Sequence, residues 1–150
     1  MNNTIRILIV DDEESIRIAT AAILEDEGYT VDTAKNGKEA IDKSNANLYN
    51  IAIIDYRLPD IEGTELLSSF RETPPKTMKI MVTGYPSLQN AAASVNKGAD
   101  AFLMKPVSIE TLLKTIREAL ERQGQNERYS EEKIAKFIET KFRKLEEKIP

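Results

Sequence analysis

The chain contains no cysteine and no histidine. Without cysteine there is no disulfide, no thiolate nucleophile and no zinc or iron–sulfur site built on sulfur. Without histidine there is no imidazole general base, no Ser-His-Asp triad and no histidine metal ligand. Chemistry here rests on carboxylates, hydroxyls and lysine. Long apolar runs are also missing, and nothing approaches the ~18 consecutive apolar residues of a membrane span. The first apolar run, Ile5 to Val10, is too short for a signal-peptide core and leads straight into Asp11, Asp12, Glu13 and Glu14. The expectation is a cytoplasmic protein with no membrane partner. Positive charge is not in excess either: 21 Lys+Arg face 25 Asp+Glu, a formal charge of −4, which argues against direct DNA binding. What is present, 41% apolar and 31% charged residues over 150 positions, suffices for one ordinary domain with room for an extra element.

Five short apolar runs recur, at residues 5–10, 29–34, 51–54, 79–82 and 101–104. The first and third are nearly unbroken and β-branched, as in strands buried on both faces. Between the runs lie segments with helical spacing. Ile16, Ala19, Ile23 and Leu24 share one face, and Gly28 stops that helix. Ala40 and Ile41 mark a shorter helix. Leu66, Leu67 and Phe70 mark a third, opened by Gly63 and ended before Pro74-Pro75. A fourth, Ala-rich helix spans Pro86 to Lys97 with little apolar area to bury, so it should move easily. Ile109, Leu112, Leu113, Ile116 and Leu120 form the clearest stripe, capped by Ser108. Strand–helix alternation of this kind predicts a doubly wound α/β unit: a five-stranded parallel sheet with helices on both faces. Ligands of such sheets bind at the carboxyl ends of the strands.

Composition shifts after Gln123-Gly124-Gln125-Asn126, so residues 1–123 read as the domain and 124–150 as a linker with a C-terminal amphipathic helix. Residues 127–150 carry seven Lys+Arg and six Asp+Glu, leaving fourteen against nineteen in the body. Ser130 is the expected cap of this extra helix, with Glu131-Glu132 in its first turn. Ala135, Ile138, Phe142, Leu145 and Ile149 alternate at spacings of three and four, like a short coiled-coil seam, and Ile134 and Phe137 widen it. Three uses compete: packing on the body, a homodimer through this helix, or a link to an output domain.

The strand ends are polar. Asp11-Asp12 follows the first run, Asp55 ends the third, Thr83-Gly84 ends the fourth and Lys105-Pro106 follows the fifth. In the flavodoxin-like order 2-1-3-4-5 the first and third strands are neighbours, which brings three carboxylates into one depression. At ~5 Å and an effective dielectric of ~20, each like-charged pair costs roughly 3 kcal/mol before solvation. Such a cluster raises a pKa or holds a cation. An all-oxygen site with few protein ligands suits Mg²⁺ better than Ca²⁺. The plainer alternative, that Asp11 or Asp12 caps the first helix, leaves Asp55 unexplained. Thr83 as a turn former and Lys105 as a solvated side chain are each ordinary alone; it is their conjunction with the acids that points to a site.

This constellation resembles the receiver domain of two-component response regulators, of the chemotaxis-regulator type, over roughly residues 4–122. The matching residues are Asp11-Asp12, Asp55 within Ile54-Asp55-Tyr56-Arg57-Leu58-Pro59-Asp60-Ile61-Glu62-Gly63, Thr83-Gly84 and Lys105-Pro106. The resemblance implies that Asp55 is the phosphoacceptor. It implies that Mg²⁺ is held by Asp11, Asp12, Asp55 and the backbone carbonyl of Arg57. Thr83 and Lys105 would bind phosphoryl oxygens, and the peptide before Pro106 would be cis. Phe102 matches the family's aromatic switch position and would follow Thr83 inward. An alternative is that Phe102 is a plain strand residue.

Physical chemistry agrees with that picture. A carboxylate attacking a phosphoryl group meets charge repulsion, which a bridging Mg²⁺ and Lys105 reduce. A chain without histidine cannot be its own phosphohistidine donor, so the group comes from another protein, which the resemblance implies is a sensor histidine kinase or a histidine phosphotransfer protein, or from a small acyl phosphate. The new dianion would draw Thr83 and its loop inward, and the output would be contact with a downstream protein. Arg57 and Tyr85 should flank the phosphoryl group and tune its lifetime, unless both are simply solvated. Two rivals fare worse. A phosphohydrolase of the haloacid dehalogenase type places a second Asp two residues after the nucleophile, where this chain has Arg57. A flavin or nucleotide binder needs a phosphate loop where Asp11 to Glu14 would repel it.

Overall fold

Residues 4–73, 75–84 and 87–147 are described by the computed structural model. Among them, the apolar runs become five strands: β1 (Arg6–Val10), β2 (Thr30–Ala34), β3 (Ile51–Asp55), β4 (Met78–Thr83) and β5 (Ala101–Met104). Five helices alternate with them: α1 (Glu14–Asp26), α2 (Gly37–Ala46), α3 (Gly63–Leu66), α4 (Leu88–Asn96) and α5 (Ile109–Glu147). All pairings are parallel, in the order β2-β1-β3-β4-β5. This is the flavodoxin-like, doubly wound sheet expected from the alternation.

The period of two along each strand separates two cores. Leu8, Val10, Ala52, Ile54 and Met81 face one side and pack with Ala40 of α2 and Leu66 of α3. Ile7, Ile9, Ile51, Ile53, Ile80 and Val82 face the other and pack with Leu24 of α1 and Leu112 and Ile116 of α5. The central strands β3 and β4 are buried along their whole length. Accordingly β3 runs apolar up to Asp55, while β4 also buries Lys79, whose ammonium donates to the Leu67 carbonyl at 3.1 Å and to the Glu72 carboxylate at 3.0 Å.

Local chemistry sets the helix ends. Gly28 has a φ of +94°, and the Gly28 and Tyr29 N–H groups donate to the carbonyls of Glu25 and Leu24, the closing turn in which glycine is favoured. The Ser108 hydroxyl accepts from the Thr111 N–H at 3.1 Å and opens α5. Ala19, expected on the inner face of α1, is exposed; Thr20 occupies that face with Ile16 and Ile23. The third helix is one turn followed by a 3-10 turn, Leu67–Ser69, rather than a helix up to the prolines; Pro74 lies outside the described residues. The α4 helix starts at Leu88, capped by Ser87, whose side chain accepts from the Asn90 N–H; Tyr85 and Pro86 lie outside the described residues. Ser94 is the one buried residue of α4, while Leu88 and Val95 are exposed.

The C-terminal segment departs from expectation. No interruption occurs at Gln123–Asn126 and no capped restart occurs at Ser130: α5 runs unbroken for 39 residues, about 58 Å at 1.5 Å per residue. One glycine costs a helix only about 1 kcal/mol against alanine, and the residues around Gly124 are good helix formers with no proline among them. Gln123 also anchors the helix. Its amide donates to the carbonyls of Asn50 at 3.0 Å and Lys76 at 2.7 Å and accepts from the Asn50 side chain at 3.2 Å. From 131 to 146 every residue is exposed.

Candidate functional site

The carboxyl ends of β1, β3, β4 and β5 meet at one edge of the sheet. Asp11 follows β1 directly and is held from several sides. Its N–H donates to the Ala34 carbonyl at 3.1 Å, its carbonyl accepts from Arg17 at 2.8 Å, and its Oδ1 accepts from the Glu13 N–H at 2.9 Å. Asp11 thus takes one N–H at the start of α1, but neither it nor Asp12 is the cap residue. The cap position of α1 is Glu13, and its side chain makes no capping bond.

Asp55 is the last residue of β3, and the register Val10↔Ile54 sets it beside Asp11. Only 8% of Asp55 and 5% of Asp11 is accessible to solvent. Asp12 is exposed at the rim, and the three side chains offer oxygens within 4.8 Å of one another. Lys105, just past β5, reaches back between them: Nζ lies 3.2 Å from Asp11 Oδ2 and 3.2 Å from Asp55 Oδ2. Its N–H donates to the Thr83 carbonyl at 2.7 Å, so the ends of β4 and β5 are locked together. Thr83 is 1% exposed. The Lys105–Pro106 peptide is cis. Residues 11, 55, 83 and 105 are thus brought to one place from separate parts of the chain.

The electrostatics follow from this crowding. Burial pushes the Asp55 carboxyl above the usual carboxylate value; Lys105 counteracts it and the Asp11 charge adds to it. Burial works to lower the Lys105 ammonium, yet Asp55 and Asp11 on either side outweigh it and hold it above the ordinary lysine value. Three carboxylates against one ammonium leave a net negative depression of hard oxygens. That donor set fits a divalent cation such as Mg²⁺, with Asp11, Asp12 and Asp55 as its protein ligands.

In the sequence, several supporting residues stand out only as members of the segment around Asp55 or, for Gly63, as a helix start, with no role given to them at the site. The segment after Asp55 doubles back through an antiparallel bridge between Arg57 and Glu62, and the Gly63 N–H donates to the Tyr56 carbonyl at 2.7 Å. A side chain at Gly63 would put its Cβ 2.2 Å from the Asp55 carbonyl oxygen, so only glycine permits the loop to close under the acid. Asp60 ties that loop to α2, its carboxylate accepting from the Gly37 and Lys38 N–H groups at 2.8 and 2.9 Å. Those N–H groups hold its pKa below the usual range. The Tyr56 hydroxyl hydrogen-bonds Asn90 Oδ1 at 3.1 Å, a link from the residue after Asp55 to α4. The only sequence sign of these was their place within eight residues of Asp55.

Of the other expected residues, the Arg57 N–H donates to Asp55 Oδ1 at 3.3 Å while its side chain is exposed. Phe102 is partly buried against the core that contains Tyr56 and Met81. Tyr85 lies outside the described residues. Beneath the acids, between α1 and α5, lies a cavity of about 430 Å³ lined mainly by Ile9, Ile16, Ile23, Ile53, Val82 and Leu112. Apolar walls of this kind strengthen the charge interactions at its mouth.

The family model for the response regulator receiver domain matches residues 7–117. A CheY-like receiver domain protein from Methanospirillum hungatei superposes with a TM-score of 0.78 at 46% identity, covering 83% of this chain and 99% of that one. A response regulator from Burkholderia pseudomallei, solved with a phosphorylated aspartic acid, a calcium ion and citrate, gives a TM-score of 0.71 at 30% identity, covering 81% and 72%. Among curated proteins, the transcriptional regulatory protein YkoG of Bacillus subtilis is 37% identical over 118 residues, 79% of this chain and 52% of that protein. The chain spans about half the length of the curated relatives it matches.

Proposed function

The chain belongs to the response regulator receiver domain family, and from that premise we propose that Asp55 accepts a phosphoryl group from a phosphohistidine of a sensor histidine kinase or phosphotransfer protein. The observation that carries the proposal is Lys105 Nζ bridging Asp11 and Asp55 at 3.2 Å each. It sets an ammonium against the carboxylate that would be the nucleophile. In the reaction an Asp55 oxygen forms a bond to phosphorus, the bond to the donor nitrogen breaks, and the imidazole leaves with its electron pair. An acyl phosphate results.

Each neighbour has a task in this scheme. Mg²⁺ held by Asp11, Asp12, Asp55 and the Arg57 carbonyl would supply the charge neutralisation that lets two anions approach. Lys105 takes a phosphoryl oxygen as its partner, and the Thr83 hydroxyl bonds another. Drawing Thr83 inward frees space that Phe102 follows, and α4, with so little buried, shifts with it. The output is phosphorylation-dependent contact with a protein partner rather than direct DNA binding by these residues, and the setting is the cytoplasm. The chain catalyses its own phosphotransfer and dephosphorylation and no other turnover. Among the described residues no helix is long and apolar enough to cross a membrane.

Intact mass after incubation with acetyl phosphate, with and without Mg²⁺, tests the scheme. Wild type should gain one phosphoryl group only with Mg²⁺, and Asp55→Asn should gain none. Equal labelling of both proteins would remove Asp55 from its role. The Arg57 side chain and Tyr85 are proposed to screen the acyl phosphate from water. Arg57→Ala, alone or with Tyr85→Ala, should shorten its lifetime several-fold by the same mass assay, and unchanged decay would refute that part.

A further inference from the structure

We propose that the projecting end of α5 pairs with the same segment of a second copy as a parallel two-stranded coiled coil. Ile138, Phe142 and Leu145 are 48%, 61% and 58% exposed, so this apolar stripe does not pack on the body of its own chain. With Ala135 they recur at spacings of three and four, which are the a and d positions of two successive heptads. The occupant is argued from the flanking charges. On this register Glu132, Glu139 and Glu146 all fall at e, while Lys141 falls at g with Ile134 one heptad before it.

In a parallel pair each g position meets the e position five residues on in the other helix. Lys141 then faces Glu146 of the second copy, and the reverse contact follows by symmetry. An antiparallel pair would set the e row against itself, glutamate facing glutamate. Ile134 at g adds apolar cover beside the seam. The stripe is therefore complementary to itself, and only when the two copies run the same way. Its length is bounded: one heptad earlier, Arg128 and Glu131 stand at the a and d positions, and Ile149, which continues the spacing, lies outside the described residues. Two heptads bury less than a standard interface, so the pairing is weak and reversible. Parallel pairing puts both receiver bodies at the same end of the coil.

Sedimentation of the full chain up to millimolar concentration is the test. Wild type should pass from monomer to dimer, and Phe142→Glu should weaken that at least about tenfold. Lys141→Glu and Glu146→Lys should each weaken it several-fold, and the double variant should recover most of the loss. Because the chain has no cysteine, Leu145→Cys gives a clean readout of direction: a disulfide between the two copies forms at this d position only if they run parallel. A wild-type chain that stays monomeric at millimolar concentration overturns the proposal, as does a dimer indifferent to Phe142→Glu. A double variant no better than either single, or a Leu145→Cys dimer that forms no disulfide under oxidation, overturns the register or the direction.

Discussion

Asp55 is a carboxylate held where its charge is unwelcome. Its folded pKa lies above the unfolded value, so the native state keeps the extra proton between the two, and stability falls as pH rises through the folded pKa. Asparagine at this position escapes that loss. In metal-free buffer at neutral pH, Asp55→Asn should be more stable than wild type and melt at a higher temperature. The gain should vanish below the ordinary carboxylate range, where wild-type Asp55 is protonated folded or unfolded. Calorimetry across pH checks both the sign and the window. At this scale Asp11, Asp12, Asp55, Thr83 and Lys105 stood out in the sequence, because a polar residue ending an apolar run is a local pattern. Tyr56 and Asp60 did not, because a hydroxyl reaching Asn90 and a carboxylate reaching Gly37 and Lys38 are contacts across 34 and about 22 positions.

Elements are held to one another by such contacts, and two predictions belong to this scale. Asp60 joins the loop after β3 to the start of α2. Its pKa is depressed by the Gly37 and Lys38 N–H groups, so its contribution is present above the unfolded pKa and is lost as pH falls through the folded one. Urea titration of Asp60→Ala at neutral pH should show a loss of about 0.5–1 kcal/mol, discounted for exposure, and the difference from wild type should close as pH falls below the usual carboxylate range. Within α5, a Cβ at Gly124 would meet nothing within 4 Å. Gly124→Ala should therefore stabilise by roughly 0.5–1 kcal/mol by restricting the unfolded chain, read from thermal melts. A loss of helix content would instead mean that the helix bends at this glycine in solution. The continuous α5 was not legible because a Gly-containing polar stretch is the usual mark of a linker. What overrode it is that one glycine without a proline costs a helix only about 1 kcal/mol. The Gln123 anchor on Asn50 and Lys76, which no local pattern announces, holds the helix to the body just before that glycine.

The whole molecule is a sheet whose strand ends store like charges. Three carboxylates share one ammonium, and a divalent cation that binds the folded state alone stabilises it by mass action. At a hundredfold excess over its dissociation constant, Mg²⁺ should add about 2.7 kcal/mol, or roughly 5–10 °C in Tm. Asp12→Asn should lose most of this rise while folding normally, since Asp12 is exposed at the rim. Equal Mg²⁺ shifts in the two proteins would show that the ion binds elsewhere.

The sequence alone determined the strands, that they run parallel, and the identity of the polar residues at their ends. Each depends on short-range periodicity and on the rule that alternating strands and helices wind one way. Only the tertiary structure decided that Lys105 sits between Asp11 and Asp55, that Gly63 must pass under the Asp55 carbonyl, and that α5 continues beyond the body with its apolar stripe uncovered. These depend on distances between residues far apart in the chain, which are fixed when the two cores close on the sheet and not before.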